Sequence, residues 1–252
     1  MSAFSPDSGL VGSVSPSPNH DERQAPIDML LLHYTGMETP GAALDRLCSA
    51  AARVSSHYFI DEAGGIIQLL PEARRAWHAG ISSWFGATDI NSCSIGLEIV
   101  NPGHDFGYPD FPDVQIAAVT ALCKDIVKRR NIPAARVLAH SDVAPARKQD
   151  PGEKFPWAKL AGAGVGLWVD PTEVIPGPEL DPGDKGGAIT MLQQFLKDFG
   201  YGIEVTGIYD ETTTQVVTAF QRHFRPARVD GIADHSTLET LKRLLMLRSD
   251  PA

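Results

Sequence analysis

The chain predicts an α/β domain, a mixed sheet flanked by helices, joined to a second, small all-α three-helix domain. Three observations predict it. Short apolar segments bounded by turn signals alternate with longer stretches of helical spacing over residues 25–169. A Pro-rich acidic stretch follows at 170–184, and helical apolar spacing returns over 185–247. A length of 252 residues with 43% hydrophobic content admits one large and one small domain and argues against extended disorder.

Residues 1–24 are rich in Ser and Pro and read as a flexible tail. They hold neither a basic start nor an apolar run of signal-peptide length, and the apolar run at 29–32 is too short to span a bilayer. No membrane segment is expected, and the chain as written is expected in the cytoplasm. Residues 27–33 form a buried-strand pattern ending in His33, followed by a Tyr34-Thr35-Gly36 turn. Residues 40–54 read as a helix. Residues 57–61 and 66–70 flank Gly64-Gly65 and predict a hairpin, because glycine tolerates positive φ. Residues 95–100 read as a strand. The stretch 114–130 puts Ile116, Val119, Cys123, Ile126 and Val127 on one helical face, and 137–140 closes the set as a short strand.

The charge locates the domain boundary. Of the formal net charge of -9, the amidst-chain segment 25–169 carries 13 basic against 15 acidic residues, and 185–252 carries 8 against 8. Segment 170–184 has no basic residue and 5 acidic ones, with four prolines, which suits an extended, self-repelling interdomain linker. No Lys/Arg cluster of the kind that displaces counterions from nucleic acid is present, so nucleic acid is not expected as a partner. Cys48, Cys93 and Cys123 lie far apart without metal or disulfide spacing and read as free, mostly buried thiols.

His33 and His140 each end an apolar strand, where a side chain can project from the sheet rim into a cleft. Asp150 precedes Pro151, which favours an extended backbone, and there Lys148 and Asp150 point to one side. Two imidazoles and a carboxylate suit a catalytic zinc with a fourth position for water. By spacing alone, a histidine at a strand end is more often a hydrogen-bonded structural residue than a metal ligand. Glu98 in its Ile/Leu/Val strand and Lys148 beside Arg147 have similarly ordinary readings as an outward strand residue and a solvated loop lysine.

Six ordered segments separate these readings: Leu31-Leu-His-Tyr-Thr-Gly36, Ser56-His-Tyr-Phe-Ile-Asp61, Ala76-Trp-His-Ala-Gly80, Ser94-Ile-Gly-Leu-Glu-Ile-Val-Asn101, Ala139-His-Ser-Asp142 and Arg147-Lys-Gln-Asp-Pro-Gly152. Together they resemble the zinc-dependent N-acetylmuramoyl-L-alanine amidases of the type 2 family, which includes phage T7 lysozyme and the peptidoglycan recognition proteins, over about residues 25–160. The resemblance implies His33, His140 and Asp150 as ligands of one zinc ion, Glu98 as the acid/base residue and Lys148 as the charge stabiliser. Some members carry Cys at the third ligand position. This chain has Asp there, as in the bacterial recycling and outer-membrane members. Non-catalytic recognition proteins on the same fold typically lack a ligand, whereas this chain keeps all three with Glu98 and Lys148. His57 is expected on the cleft floor with Tyr58, and Trp77 and His78 either in a buried aromatic turn or in contact with sugar and lactyl-peptide. No role is expected for His20, His104, His223 or His235.

In the second unit, residues 189–196 and 214–221 have helical apolar spacing, and Ser236-Thr-Leu-Glu239 fits a capping box opening a third helix. Thr206-Gly-Ile-Tyr-Asp-Glu-Thr-Thr213 recurs as Asp230-Gly-Ile-Ala-Asp-His-Ser-Thr237, an internal repeat of turn plus helix start. This unit looks like the peptidoglycan-binding module type 1, either binding glycan or packing on the first domain. The expected partner is peptidoglycan or a soluble (anhydro)muropeptide, with no protein partner inferred.

Overall fold

The computed structural model describes residues 4–249. Its elements run β1 (Ser13–Val14), β2 (His20–Glu22), β3 (Met29–Tyr34), α1 (Pro40–Cys48), β4 (Tyr58–Ile60), β5 (Ile66–Gln68), β6 (Arg74–Ala76) and α2 (Ile90–Cys93). Then follow β7 (Ser94–Ile99), α3 (Asp113–Arg130), β8 (Val137–Ala139), α4 (His140–Val143), α5 (Trp157–Gly162), α6 (Gly187–Phe199), α7 (Glu211–Phe224) and α8 (His235–Ser249). Six strands form one mixed sheet in the order β1-β5-β4-β7-β3-β8, and β2 pairs with β6 in a separate ribbon. Only β4 and β5, the hairpin expected around Gly64-Gly65, pair antiparallel within the large sheet. Among the described residues no helix is long and apolar enough to cross a membrane.

The run Met-Leu-Leu-Leu in β3 lacks alternation because both faces of that strand are covered. Leu30 and Leu32 face a layer built from α3 and α5, with Ile116, Val119, Leu122, Ile126 and Leu160. Met29 and Leu31 face the opposite way, into a core that includes Trp84, Leu138 and Val143 together with Leu192, Leu196, Phe199, Val216, Phe220 and Leu241 of α6, α7 and α8. The three C-terminal helices thus share one core with the sheet. α1 covers the other end of that face, where Ala43 and Leu47 pack on Phe59, Leu69 and Val100.

Within the helical unit the internal repeat has a side-chain basis. The buried Gln193 amide oxygen accepts from the Thr206 and Gly207 amides, and its nitrogen donates to the Ile208 carbonyl and Thr213 hydroxyl. Gln221 does the same at Asp230, Gly231, Ile232 and Thr237. Asp210 and Asp234 then cap α7 and α8 by accepting from the Thr213 and Thr237 amides. The third helix therefore opens at Asp234, two residues before the Ser236 expected from the sequence.

Three further expectations are corrected. Residues 4–24 are a strap rather than a tail, while residues 1–3 lie outside the described residues. β1 pairs with β5 and β2 with β6, Asn19 is buried with its amide on the Ser49 and Val54 carbonyls, and Asp7 bonds Gln68. The helix expected to Val54 ends at Cys48, continues as one 3-10 turn, and stops at Arg53, whose φ is +51°. The acidic connector is pinned to the bundle at several points. Leu180 exchanges backbone hydrogen bonds with Ala233, Glu179 pairs with Arg228 at 2.7 Å, and Arg243 donates to the Asp170 carbonyl.

The C-terminal end of α3 is fixed by a buried carboxylate. Glu72 accepts from Tyr58 at 2.6 Å, from Arg129 at 2.8 Å and from Arg130 at 2.6 Å. Burial alone would raise its carboxyl, but the hydrogen bonds from Arg129, Tyr58 and Arg130 outweigh burial and hold it down at about 2. A depressed folded-state value contributes stability above the unfolded value of 4.5, and that contribution disappears as pH falls through about 2. By the linkage of ~1.4 kcal/mol per unit it amounts to about 3 kcal/mol. Glu72→Gln is expected to lower unfolding stability at pH 7 by roughly that amount and to flatten the acid limb, as read by denaturant melts at pH 7 and pH 3.

The shared core makes a second prediction. A large apolar side chain contributes on the order of 1.5–3 kcal/mol when buried, against a total stability of roughly 5–15 kcal/mol. Ending the chain at residue 184 uncovers Met29, Leu31, Trp84, Leu138 and Val143. Such a truncation should bind hydrophobic dye and melt well below the full chain in a thermal scan.

Candidate active site and metal centre

The site lies where parallel strands β3 and β7 end and β8 passes into α4, the edge at which open α/β sheets present ligands. Register places His33 directly beside Glu98. In β7, Ser94, Gly96 and Glu98 alternate with the core residues Ile95, Leu97 and Ile99, so the three non-apolar positions share the face that carries His33. His140 is the first residue of α4, and the Ser141 amide donates to the Asp150 carbonyl at 3.0 Å, bringing the third group alongside.

Three atoms converge. His33 Nδ1 lies 2.8 Å from His140 Nδ1, and Asp150 Oδ2 lies 3.1 Å and 3.0 Å from them. The outer hydrogen bonds set the tautomers. His140 Nε2 is 3.0 Å from the Ala79 carbonyl, an acceptor only, so this nitrogen carries the proton and Nδ1 presents a lone pair. Arg147 donates to the same Ala79 carbonyl at 3.0 Å and holds it in place. For His33 the argument runs through a relay. Ser94 Oγ donates to the Ile90 carbonyl at 2.6 Å and accepts from His78 Nε2 at 3.3 Å. That leaves His78 Nδ1 to accept from His33 Nε2 at 3.0 Å. Both ligand-facing imidazole nitrogens are therefore acceptors, aimed at each other and at a carboxylate, all buried. Such a set is stable around a cation, and two imidazoles with one carboxylate oxygen form a donor set suited to zinc. His33, His140 and Asp150 could hold a metal ion.

Electrostatics agree. Burial opposes ionisation of Asp150, yet His140 and His33 hold its carboxyl well below the usual carboxylate range. Burial, and then His140, lower His33 to about 4 despite the pull of Asp150. Burial and the Asp150 charge push Glu98 up to about 8, with Lys148 opposing. Glu98 and Lys148 line the same cavity of about 340 Å³ as the three convergent residues, with Tyr34, Arg46 and Arg147 also on its wall.

Of the three further candidates His57, Trp77 and His78, one lines the cavity. His57 is buried behind the site, where its Nδ1 accepts from the Gly96 amide and its Nε2 lies 3.0 Å from the Arg74 carbonyl. Burial and Arg23 lower it to about 3, so it is a neutral structural group. Trp77 is half-buried, its amide donates to the Ser55 hydroxyl and its carbonyl accepts from the Ser55 amide, and it is not among the residues lining the cavity. His78 touches the cavity but is committed to His33 and Ser94. A signal for this arrangement exists in the sequence. A Cβ at Gly96 would meet the His78 ring at 2.6 Å, so the glycine in the middle of an apolar strand marks the place where that imidazole lies. Arg147 and Ser94 lie within the ordered segments with no role implied there, and each supports one of the convergent imidazoles, Arg147 through the Ala79 carbonyl and Ser94 through His78. His104 bonds Tyr34 and Glu153 at the cleft edge, and His223 packs in the interior.

The comparisons with known proteins concern both halves of the chain. A family model described as N-acetylmuramoyl-L-alanine amidase matches residues 23–153, and one described as putative peptidoglycan binding domain matches residues 185–241. The chain is 36% identical over 238 residues to the N-acetylmuramoyl-L-alanine amidase AmiD of Escherichia coli, covering 87% of this chain and 82% of that one. It also resembles the structure of that amidase in complex with anhydro-N-acetylmuramic acid-L-Ala-D-gamma-Glu-L-Lys, with a TM-score of 0.75 at 33% identity over 91% of this chain and 93% of that one. Pseudomonas aeruginosa AMPDH3 in complex with anhydromuramic pentapeptide matches with a TM-score of 0.73 at 30% identity over the full length of both chains. The polar rim of β3, β7 and α4 is thus the rim of a known fold, and the chain belongs to the N-acetylmuramoyl-L-alanine amidase family.

Proposed function

We propose that this chain hydrolyses the amide between the lactyl group of N-acetylmuramic acid and L-alanine in muropeptides, using one zinc ion held by His33, His140 and Asp150. The observation that carries this reading is the convergence of two imidazole lone pairs and a carboxylate beside Glu98 and Lys148. A zinc ion there would supply Lewis acidity, acidifying a coordinated water to a pKa of about 7 and polarising the scissile carbonyl. Glu98 takes the proton of the attacking water on its carboxylate and returns it to the departing alanine nitrogen. Its buried position keeps its proton affinity high enough for the second step, while the ammonium of Lys148 favours its ionised form for the first. Lys148 also places positive charge where the carbonyl oxygen becomes an oxyanion. The relay through His78 and Ser94, and the Ala79 carbonyl held by Arg147, keep the imidazoles oriented throughout.

The two relatives solved with anhydromuropeptides support a soluble anhydro-muropeptide as substrate. The match to a peptidoglycan-binding module supports intact wall as well. Mass-spectrometric comparison of turnover on an anhydro-muropeptide and on sacculi separates the two.

His33→Ala and Asp150→Ala are each expected to abolish zinc content and turnover together, measured by elemental analysis and product formation. Full turnover by zinc-free protein would overturn the metal reading. Glu98→Gln should retain stoichiometric zinc and lose on the order of 10²–10⁴-fold in kcat, the usual range for a general acid–base group. A near-normal kcat would remove Glu98 from that role.

A further inference from the structure

We propose that Tyr201 and His223, both contributed by the C-terminal helical unit, are positioning residues for His140, acting through the buried carboxylate of Asp142. This inference rests on the metal reading above. Asp142 is the third residue of α4, the turn that His140 begins, and it is fully buried. Its Oδ2 accepts from the Ala139 amide at 2.8 Å, folding the carboxylate back over the Leu138–Ala139 peptide, at the residue that precedes His140. That bond closes the turn at which β8 ends, and so sets the direction in which the His140 ring leaves the backbone.

The carboxylate needs more than this one donor, and the catalytic half of the chain does not supply the others. Tyr201 donates to Oδ1 at 2.7 Å from the turn after α6, and His223 Nδ1 donates to Oδ2 at 2.6 Å from α7. Burial and Asp142 itself raise the Tyr201 phenol well above its ordinary value, so it remains a neutral donor. His223 is held in place by stacking between Trp157 and Phe224, each at 3.7 Å between ring centroids. Tyr201 packs edge-on against Trp84 at 5.0 Å. Without these two donors a buried carboxylate would be under-coordinated, and it would turn toward other partners. That movement loosens its hold on the Ala139 amide and frees the His140 turn.

The consequence is that the unit matching a wall-binding family helps to set metal affinity in the catalytic half. The test separates hydrogen bonding from packing. His223→Phe keeps an aromatic ring between Trp157 and Phe224 but removes the donor, whereas His223→Asn keeps a donor near the Nδ1 position and gives up the stack. Tyr201→Phe removes a single oxygen. Zinc dissociation constants are measured in the full chain by competition with a chromogenic chelator, alongside Tm with and without zinc. Tyr201→Phe and His223→Phe are expected to weaken zinc binding on the order of tenfold, in line with outer partners of metal ligands, and His223→Asn to stay within about twofold of the parent even where its Tm falls. Unchanged zinc affinity in Tyr201→Phe, which preserves packing and folds most readily, would overturn the inference. So would a His223→Asn as impaired as His223→Phe. A parent chain that binds no zinc would overturn the metal reading itself, an outcome distinct from parent and variants binding alike.

Discussion

Two imidazole nitrogens and a carboxylate oxygen occupy a triangle with edges of 2.8 to 3.1 Å, and the outer hydrogen bonds leave all three as acceptors. Acceptors packed this closely in a buried place repel one another unless a cation lies among them, and much of the surrounding structure can be understood as holding them there against that repulsion. The β3–β7 register fixes His33 beside Glu98, the Asp142 turn aims His140, and the bond between Ser141 and Asp150 draws in the third group. The second layer is as specific as the first. Removing the Ala79 carbonyl or the His78 relay would allow either imidazole to take its other tautomer, and a ring with Nδ1 protonated no longer offers a lone pair at the triangle.

The sheet places this triangle at a rim because β3, an inner strand, is apolar on both faces. β3 cannot be exposed on either side, so two layers are required, and the chain uses α3 with α5 for one and the C-terminal bundle for much of the other. A helical unit recruited to cover a strand also meets the residues at the end of that strand. This explains how Tyr201 and His223 come to touch Asp142. The glycine at 200, where a Cβ would meet Trp84 at 2.6 Å, permits the close approach of the α6 turn to the catalytic half.

His33 and His140 were legible as polar groups that end apolar strands, Asp150, Glu98 and Lys148 only through the ordered motifs, and all five line one cavity. The fold class was legible for a related reason, since the switch from short apolar runs to helical spacing is strong in this chain. Whether His57 and Trp77 reach the cavity was not legible, because adjacency in a motif does not tell which side of a strand or turn a residue faces. His57 lies on the floor expected of it, but one layer too deep. The N-terminal strap left no signal, because strands of two and three residues carry no measurable period and their Ser/Pro composition is that of a tail. Asp142 was invisible for a different reason: its partners lie 59 and 81 residues away, and nothing local reveals a carboxylate waiting for distant donors.

The acidic segment takes on a different meaning once the fold is known. A free connector of such composition would let a binding unit roam, and the benefit of tethering would come from effective concentration alone. Here Glu179 pairs with Arg228, Leu180 bonds Ala233, and the Asp170 carbonyl accepts from Arg243, so the segment returns along the bundle rather than away from it. The bundle itself is locked into the core under the sheet. Any surface it presents to a glycan strand therefore has one orientation relative to the cleft, and reach is exchanged for register.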